Sequence, residues 1–337
     1  MYLSLLQIVQ SICYELGLNP PAVVVNSTDS QIQQIFALVK RSLRELQQNY
    51  DWTALQTEYD LYVNQPTITT GNVTLGQYTI TNIPSTNFIL PGQSSLWTVS
   101  AQNIPVAARV VSVDSSTQVT LSEPSTGTLI GGTVTFAQDT YPEPIDFSRF
   151  INQTWWDRTN RWALMGPDSP QVDQWHRSGI VTIGPRRHFR QIGFNVSLAD
   201  FNNDFNNDFN NQTVVRNYRI WPAPGATDTP LNLVYEYISS NIVITTSGAF
   251  QPTFMSDSDI SIIDSNMIML DTKWRMWQIK GFDYLPLQME ARDYIERAYA
   301  NDGGAKTLTL SRGSGNYGWT TGLVQDGSWP GPSTSGV

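Results

Sequence analysis

Apolar residues recur with two different periods along this chain, and the change of period divides it. From Asn26 to Trp52 (NSTDSQIQQIFALVKRSLRELQQNYDW), Ile35, Phe36, Val39, Leu43, Leu46 and Tyr50 follow Ile32 at steps of 3, 4, 7, 11, 14 and 18. Those steps trace one face of a 3.6-residue helix, and Gln33, Gln34, Lys40, Arg41, Arg44, Gln47 and Gln48 make the other. Thr28 with Gln31 reads as its capping box, and Asp29 puts a negative charge at the positive end of the helix dipole. Upstream, Ser4 and Gln7 form another box ahead of Leu5, Val9, Ile12 and Leu16, and Gly17 supplies the left-handed stop. Asn19-Pro20-Pro21 prevents continuation, so the two helices are expected to form a hairpin-like pair.

From Glu58 the period becomes two. YDLYV, NVTL, QYTIT, NFIL, LWTVS, ARVVSV, QVTLS and GTVTF are short strand-like runs separated by Gly, Pro, Asn and Ser. Thr67 to Phe136 therefore reads as a small sandwich or barrel, closed by Tyr141-Pro142-Glu143-Pro144. Phe150 to Met165 reads as helical or irregular. GIVTI, RQIGFNVSL, NYRIWPAP and LNLVYEYIS then suggest a second antiparallel region.

Helical periodicity returns after Pro252. Asp264-Ser265 caps a stripe of Met267, Leu270, Trp274 and Trp277 ending at Gly281. Leu287, Ala291, Tyr294, Ile295 and Ala298 form another, ending at Gly303-Gly304. Helices are expected near Leu5–Leu16, Gln31–Asn49, Asp264–Lys280 and Pro286–Asn301. The core of a bundle made from both chain ends would hold Ile35, Val39, Leu43, Leu46, Trp274 and Trp277. The expected fold class is α+β: an α-helical bundle from both chain ends with inserted antiparallel β modules and an extended C-terminal arm. Its domains are 1–57 with 253–304 as the bundle, 58–145 as the inserted β module, 146–252 as a linker helix with the second β region, and 305–337 as the arm. The arm is too rich in Gly, Ser and Pro for a core, yet it carries Tyr317, Trp319, Leu323 and Trp329, which suit a partner's groove.

Composition narrows the function. Charged residues are 15% of 337, against about a quarter in an ordinary domain, and uncharged polar residues fill the difference. The net charge of −9 argues against a nucleic-acid-binding surface. A single cysteine, Cys13, excludes an internal disulfide framework and reads as a small buried hydrophobe. The apolar N-terminus lacks a basic n-region and a cleavage site, and no run reaches the ~18 apolar residues of a membrane span. The chain is expected to be made in the cytoplasm without processing.

Candidate chemistry is sparse. The chain has two histidines, His176 (QWHRSG) and His188 (RRHFR), with neither a G-x-S-x-G elbow nor an H-E-x-x-H spacing. Arg186 to Arg190 (RRHFR) is expected to be a solvated turn or a patch for an acidic partner. Asp200, Asn202 and Asp204 alternate like a calcium loop, but Phe205 and Asn211 stand where such a loop needs Gly and Glu. No phosphate loop or dinucleotide fingerprint occurs. The expected catalytic, metal and cofactor residues are therefore none.

Several stretches resemble the adaptor, or head-to-tail connector, proteins beneath the portal of short-tailed phages. They are LLQIVQSICYELGLNPP, STDSQIQQIFALVKRSLRELQQNYDWTAL, RIWPAP with LVYEYIS, and LDTKWRMWQIKGFDY with YANDGGAKTLTLSRG, together under half the chain. Separately, LPGQSSLWTVSAQNIPVAARVVSVDSSTQVTLSEPSTGTLIGGTVTF resembles a β domain that recurs in phage virion proteins, whose members usually carry Gly near Ala101 and Gly or Thr near Ala107 and Ala108. The resemblance implies a structural ring in the virion tail or neck, typically of twelve copies, with the portal above and a nozzle, sometimes with fibres, below. It implies a tail that reaches along the portal, a DNA lumen served by acidic walls, and no sequence-specific nucleic-acid binding. A receptor- or glycan-binding tail protein and a tail-associated cell-wall hydrolase are the competing readings.

Overall fold

The computed structural model describes residues 2–63, 65–90, 93–178, 187–193, 216–223 and 231–303. The first elements are α1 (Leu5–Leu16), α2 (Ser30–Asn49), β1 (Gln56–Val63), β2 (Thr67–Val73), β3 (Thr79–Thr81), β4 (Trp97–Ala101), β5 (Val110–Ser115), β6 (Gln118–Leu121) and β7 (Leu129–Gln138). There follow β8 (Thr140–Pro142), β9 (Phe147–Phe150), β10 (Trp156–Asp157), β11 (Trp162–Ala163), α3 (Pro170–Arg177), β12 (His188–Ile192) and β13 (Asn217–Trp221). The last are β14 (Leu231–Ser239), β15 (Val243–Ile244), β16 (Phe250–Gln251), β17 (Ile260–Ser261), α4 (Ser265–Lys280) and α5 (Leu285–Asp302). They fall into two units. Residues 2–58, 146–151 and 236–303 make one, and residues 59–145 and 152–235 the other, as far as they are described.

The first unit holds α1, α2, α4 and α5. Ser4 accepts from the Gln7 amide while the Gln7 side chain accepts from Ser4 N, and Gly17 ends α1 at φ 68°. The cap of α2 is Asp29, which accepts from Gln31 N at 2.8 Å, so Thr28 is not the capping residue. A carboxylate at that position both satisfies an orphan amide and meets the dipole. α1 and α2 pack against α4 more than against each other. The shared core takes Leu5, Ile8, Val9, Ile12 and Cys13 from α1, Ile32, Ile35, Val39, Leu43 and Leu46 from α2, and Met267, Ile268 and Met276 from α4. Burial pushes the Cys13 thiol above its ordinary value, with Asp29 adding to the effect.

The expected fold class is corrected here. Among the described residues 17 strands in four antiparallel sheets outnumber five helices, and the chain is not a helical bundle carrying insertions. The helices cannot close their own core. α4 buries the polar Ser265, Asp271 and Thr272, and α5 buries only Ala291. Ile238 of β14, Ile242 and Val243 beside it, and Phe254 join the same core from outside the helices. The segment from Phe150 to Met165, expected to be helical or irregular, is not helical: it is largely irregular around a short hairpin of β10 and β11. Trp156 pairs with Ala163 and Asp157 with Trp162, and the Asp157 carboxylate holds the turn by accepting from Asn160 N and Nδ2, each at 2.8 Å.

In the second unit, β2 to β7 form one antiparallel sheet in the order β4-β7-β2-β3-β6-β5. Its two edges meet through a Thr98–Arg109 bridge and a Val99 N to Ala108 O bond of 2.9 Å, so the sheet curls into a barrel. Val73, Ile80, Val99, Val110, Val119, Leu121, Val134 and Phe136 fill it. A β-carbon on Gly71 would lie 2.7 Å from Ile80 Cγ2, so that strand needs glycine where it bulges. Ala107 adopts φ 64°, a left-handed conformation that glycine takes more easily.

Beyond the barrel, β12 pairs with β13 and β13 with β8. β10 pairs with the start of β14. Trp155 is stacked between Phe189 and Tyr235, at centroid distances of 4.4 and 4.1 Å, with Tyr218 edge-on at 5.1 Å. These rings form the apolar part of a layer whose other members are charged.

Candidate functional site

Two regions of the described residues concentrate chemistry, one in each unit. In the first, the turn between α4 and α5 leaves large apolar side chains in water. Ile279, Phe282, Leu285 and Met289 are 51%, 61%, 57% and 69% exposed. Leu285 and Met289 are one helical turn apart and so share a face of α5, while Phe282 lies edge-on to Trp277 at 5.7 Å. A cleft of about 420 Å³ follows α5, between residues that include Glu45, Asp271, Arg275, Met289 and Arg292. Arg275 is fixed there by Asp271 at 2.8 Å and Glu45 at 2.5 Å. The far end of α5 is anchored instead. Asp302 accepts from Thr53 N and Oγ1 at 2.8 and 2.9 Å, and Tyr299 stacks on Tyr50 at 4.4 Å.

In the second unit the layer around α3 has a polar interior. Ser169 caps α3 by accepting from Val172 N, and Pro170 follows at a position that needs no amide. Asp173, 3% exposed, accepts from Arg190 at 2.8 Å and Arg219 at 3.2 Å. Asp139, fully buried, is gripped by both terminal nitrogens of Arg109 at 2.9 and 2.7 Å. Arg187 lies 3.7 Å from the buried Asp157. Burial pushes Arg219 down to about 10, and the charges of Arg109 and Arg177 push the same way. The RRHFR run is therefore no solvated turn over its described part. His188 and Phe189 open β12, and Arg187 and Arg190 face acids inside the unit.

At one edge of this layer Asp168, His176 and His188 converge, with one ligand-type atom from each lying within 4.8 Å of the others. Asp168 Oδ2 is 3.4 Å from His188 Nδ1 and 3.9 Å from His176 Nε2. The imidazole centroids are 4.2 Å apart. Backbone bonds place the three. Asp168 N donates to Phe189 O at 2.9 Å, and Phe189 N donates to Met165 O at 2.9 Å. His188 Nδ1 is buried and makes no hydrogen bond among the described residues. Burial lowers the His188 pKa, Asp168 opposes that, and His176 reinforces it.

The residues expected to matter are placed as follows. Ile35, Val39, Leu43 and Leu46 are buried in the first unit. Trp274 and Trp277 are half-buried outside that core, where Trp274 donates to Asp271 at 2.8 Å and stacks on Arg275. Their bulk suggested a core role, but smaller side chains on the adjacent face fill it. Tyr317, Trp319, Leu323 and Trp329, and the Asp200 to Asn211 loop, lie outside the described residues. The sequence brings out His176 and His188, but not their meeting with Asp168, nor α3 and the buried Asp173. Ser169-Pro170 was a legible start signal for α3. No local pattern marks the other residues, because they meet only in the fold.

Among the described residues no helix is long and apolar enough to cross a membrane. No protein-family model matches the chain, and no curated protein matches it.

Proposed function

We propose that this chain is the subunit of a structural adaptor ring that joins a phage portal to the tail and lines part of the DNA passage. The observation that carries the reading is the α4–α5 turn. Eighteen residues of α5 bury only Ala291, while Ile279, Phe282, Leu285 and Met289 are left in water. One face of α5 already rests on the helical core through Tyr294, Ile295, Ala298 and Tyr299, so what a partner would cover is the apolar patch that Leu285 and Met289 leave exposed at its start. In a ring each copy meets the next through one pair of complementary faces repeated around the circle, and α5 would supply one of them. The resemblance of both chain ends to head-to-tail connectors makes the portal the second partner, with a nozzle below. The net charge of −9 suits a lumen through which DNA slides without sticking. Tyr317, Trp319, Leu323 and Trp329 would anchor an arm on the portal.

The test is co-sedimentation with an assembled phage portal, combined with native mass of the product. The intact chain is expected to join as a closed ring. Phe282→Glu and Met289→Glu alter exposed side chains, so the subunit should fold unchanged. Placing a carboxylate in a contact should weaken joining at least about tenfold. If both variants join as well as the parent, α5 is not the joint. If the parent itself stays off the portal, the adaptor reading fails. Truncation after Gly304 isolates the contribution of the arm.

A further inference from the structure

We propose that Asp168, His176 and His188 form a binding site for a divalent transition-metal ion, with zinc(II) the ion their chemistry fits best. Two of the three donors are imidazole nitrogens and the third is a carboxylate, a set that suits zinc and its neighbours. Calcium and magnesium ask for oxygen ligands throughout and fit it poorly.

The distances are those of a site ready to close. Zinc bound tetrahedrally at about 2.0–2.1 Å holds its donor atoms about 3.3 Å apart. Asp168 Oδ2 and His188 Nδ1 already stand at 3.4 Å, and His176 Nε2 is 3.9 Å from the same oxygen. Small side-chain rotations complete the set. The three side chains are 12%, 16% and 23% exposed, sheltered enough to exclude competitors and open enough for water to take the fourth position. His188 Nδ1 is the atom with most to gain, since it is buried without a hydrogen bond among the described residues.

The backbone around the donors is preplaced. Asp168 precedes the cap of α3, His176 sits in the last turn of that helix, and His188 opens β12. The bond from Asp168 N to Phe189 O ties the first segment to the third. Ligand binding would thus staple two loops and a helix that otherwise hold one another through charged pairs such as Asp173–Arg190. The donors are eight and twelve residues apart in sequence, which matches no compact metal motif.

Because the chain has only these two histidines, any imidazole signal from untagged protein comes from this pair. The experiment starts from full-length, untagged protein dialysed against a chelator and titrated with zinc(II). Metal content, thermal unfolding and the imidazole nitrogen resonances are followed together. Cobalt(II) is titrated in parallel for its visible absorption. The expected result is one ion per chain, a raised melting temperature, and shifts at both imidazoles. Asp168→Ala, His176→Ala and His188→Ala should each weaken binding by more than the ~10–100-fold that loss of an outer partner costs. Circular dichroism checks that the variants fold, and the imidazole resonances of the parent decide the matter if they do not. Failure of the parent to take up metal, uptake that leaves both imidazoles unshifted, or uptake unchanged in folded variants would overturn the site.

Discussion

The barrel of β2 to β7 is closed around a cluster of apolar side chains that includes Val73, Ile80, Val99, Val134 and Phe136. The neighbouring layer, in the same unit, buries Asp139, Asp157 and Asp173 and meets them with arginines. Apolar packing is undirected, so the barrel asks only for side chains of suitable volume on alternate positions. A buried ion pair is different. Its attraction only roughly repays the desolvation of both charges, while the loss of one partner strands the other. The first region is held by many interchangeable contacts, the second by a few that must all be present.

Variants can separate the two regimes. The largest effect is expected from Phe136→Ala, which empties the barrel centre at about 3–5 kcal/mol in urea unfolding. No second substitution elsewhere should recover it. Asp173→Ala should cost a comparable ~3–5 kcal/mol, by stranding Arg190 and leaving Arg219 only Asp139, at 3.9 Å. Here adding Arg219→Met should return at least about 1 kcal/mol, measured as non-additivity in a double-mutant cycle. Strict additivity would show that the pair is not what holds the layer.

Smaller changes sharpen the contrast. Ala107→Gly, at the left-handed position beside the barrel seam, relieves about 1–2 kcal/mol of backbone strain against about 0.5–1 of added chain entropy. Thermal unfolding should show a net gain of roughly 0.5–1 kcal/mol. The smallest effect concerns Glu143, whose carboxyl is held above its ordinary value by burial, against the pull of the Gln191 amide at 2.9 Å and Arg216. With its folded pKa raised, the ionised carboxyl costs stability at neutral pH, and that cost fades as pH falls through the folded value. Glu143→Gln should therefore stabilise at neutral pH and lose its advantage in acid, read from unfolding curves across that range.

What was legible in the sequence follows the same division. Ser4, Gln7 and Gly17 bracket α1 through contacts three or four residues long, and the β2 to β7 region alternates visibly, so both could be read locally. α4 could not. Its buried Ser265 and Thr272 are satisfied by Leu3 N at 2.9 Å and Ser42 Oγ at 3.4 Å, partners more than two hundred residues away. With those polar positions turned inward, the tryptophans looked like the core when they lie beside it. That is also why a helical bundle was expected, although strands complete the helical unit. Asp168, His176 and His188 were the least legible, since their meeting depends on a backbone bond between Asp168 and Phe189 and on the placement of α3.

The pairing of Thr67 with Phe136 has a further consequence. Cross-strand partners of this kind lie about 5 Å apart, so the barrel segment leaves the chain almost where it enters. A stretch of coding sequence with such ends is a cassette. One recombination event can exchange it for another fold, and the flanking protein then has a strand's spacing to bridge and the buried Asp139 to partner again, because Arg109 lies inside the segment.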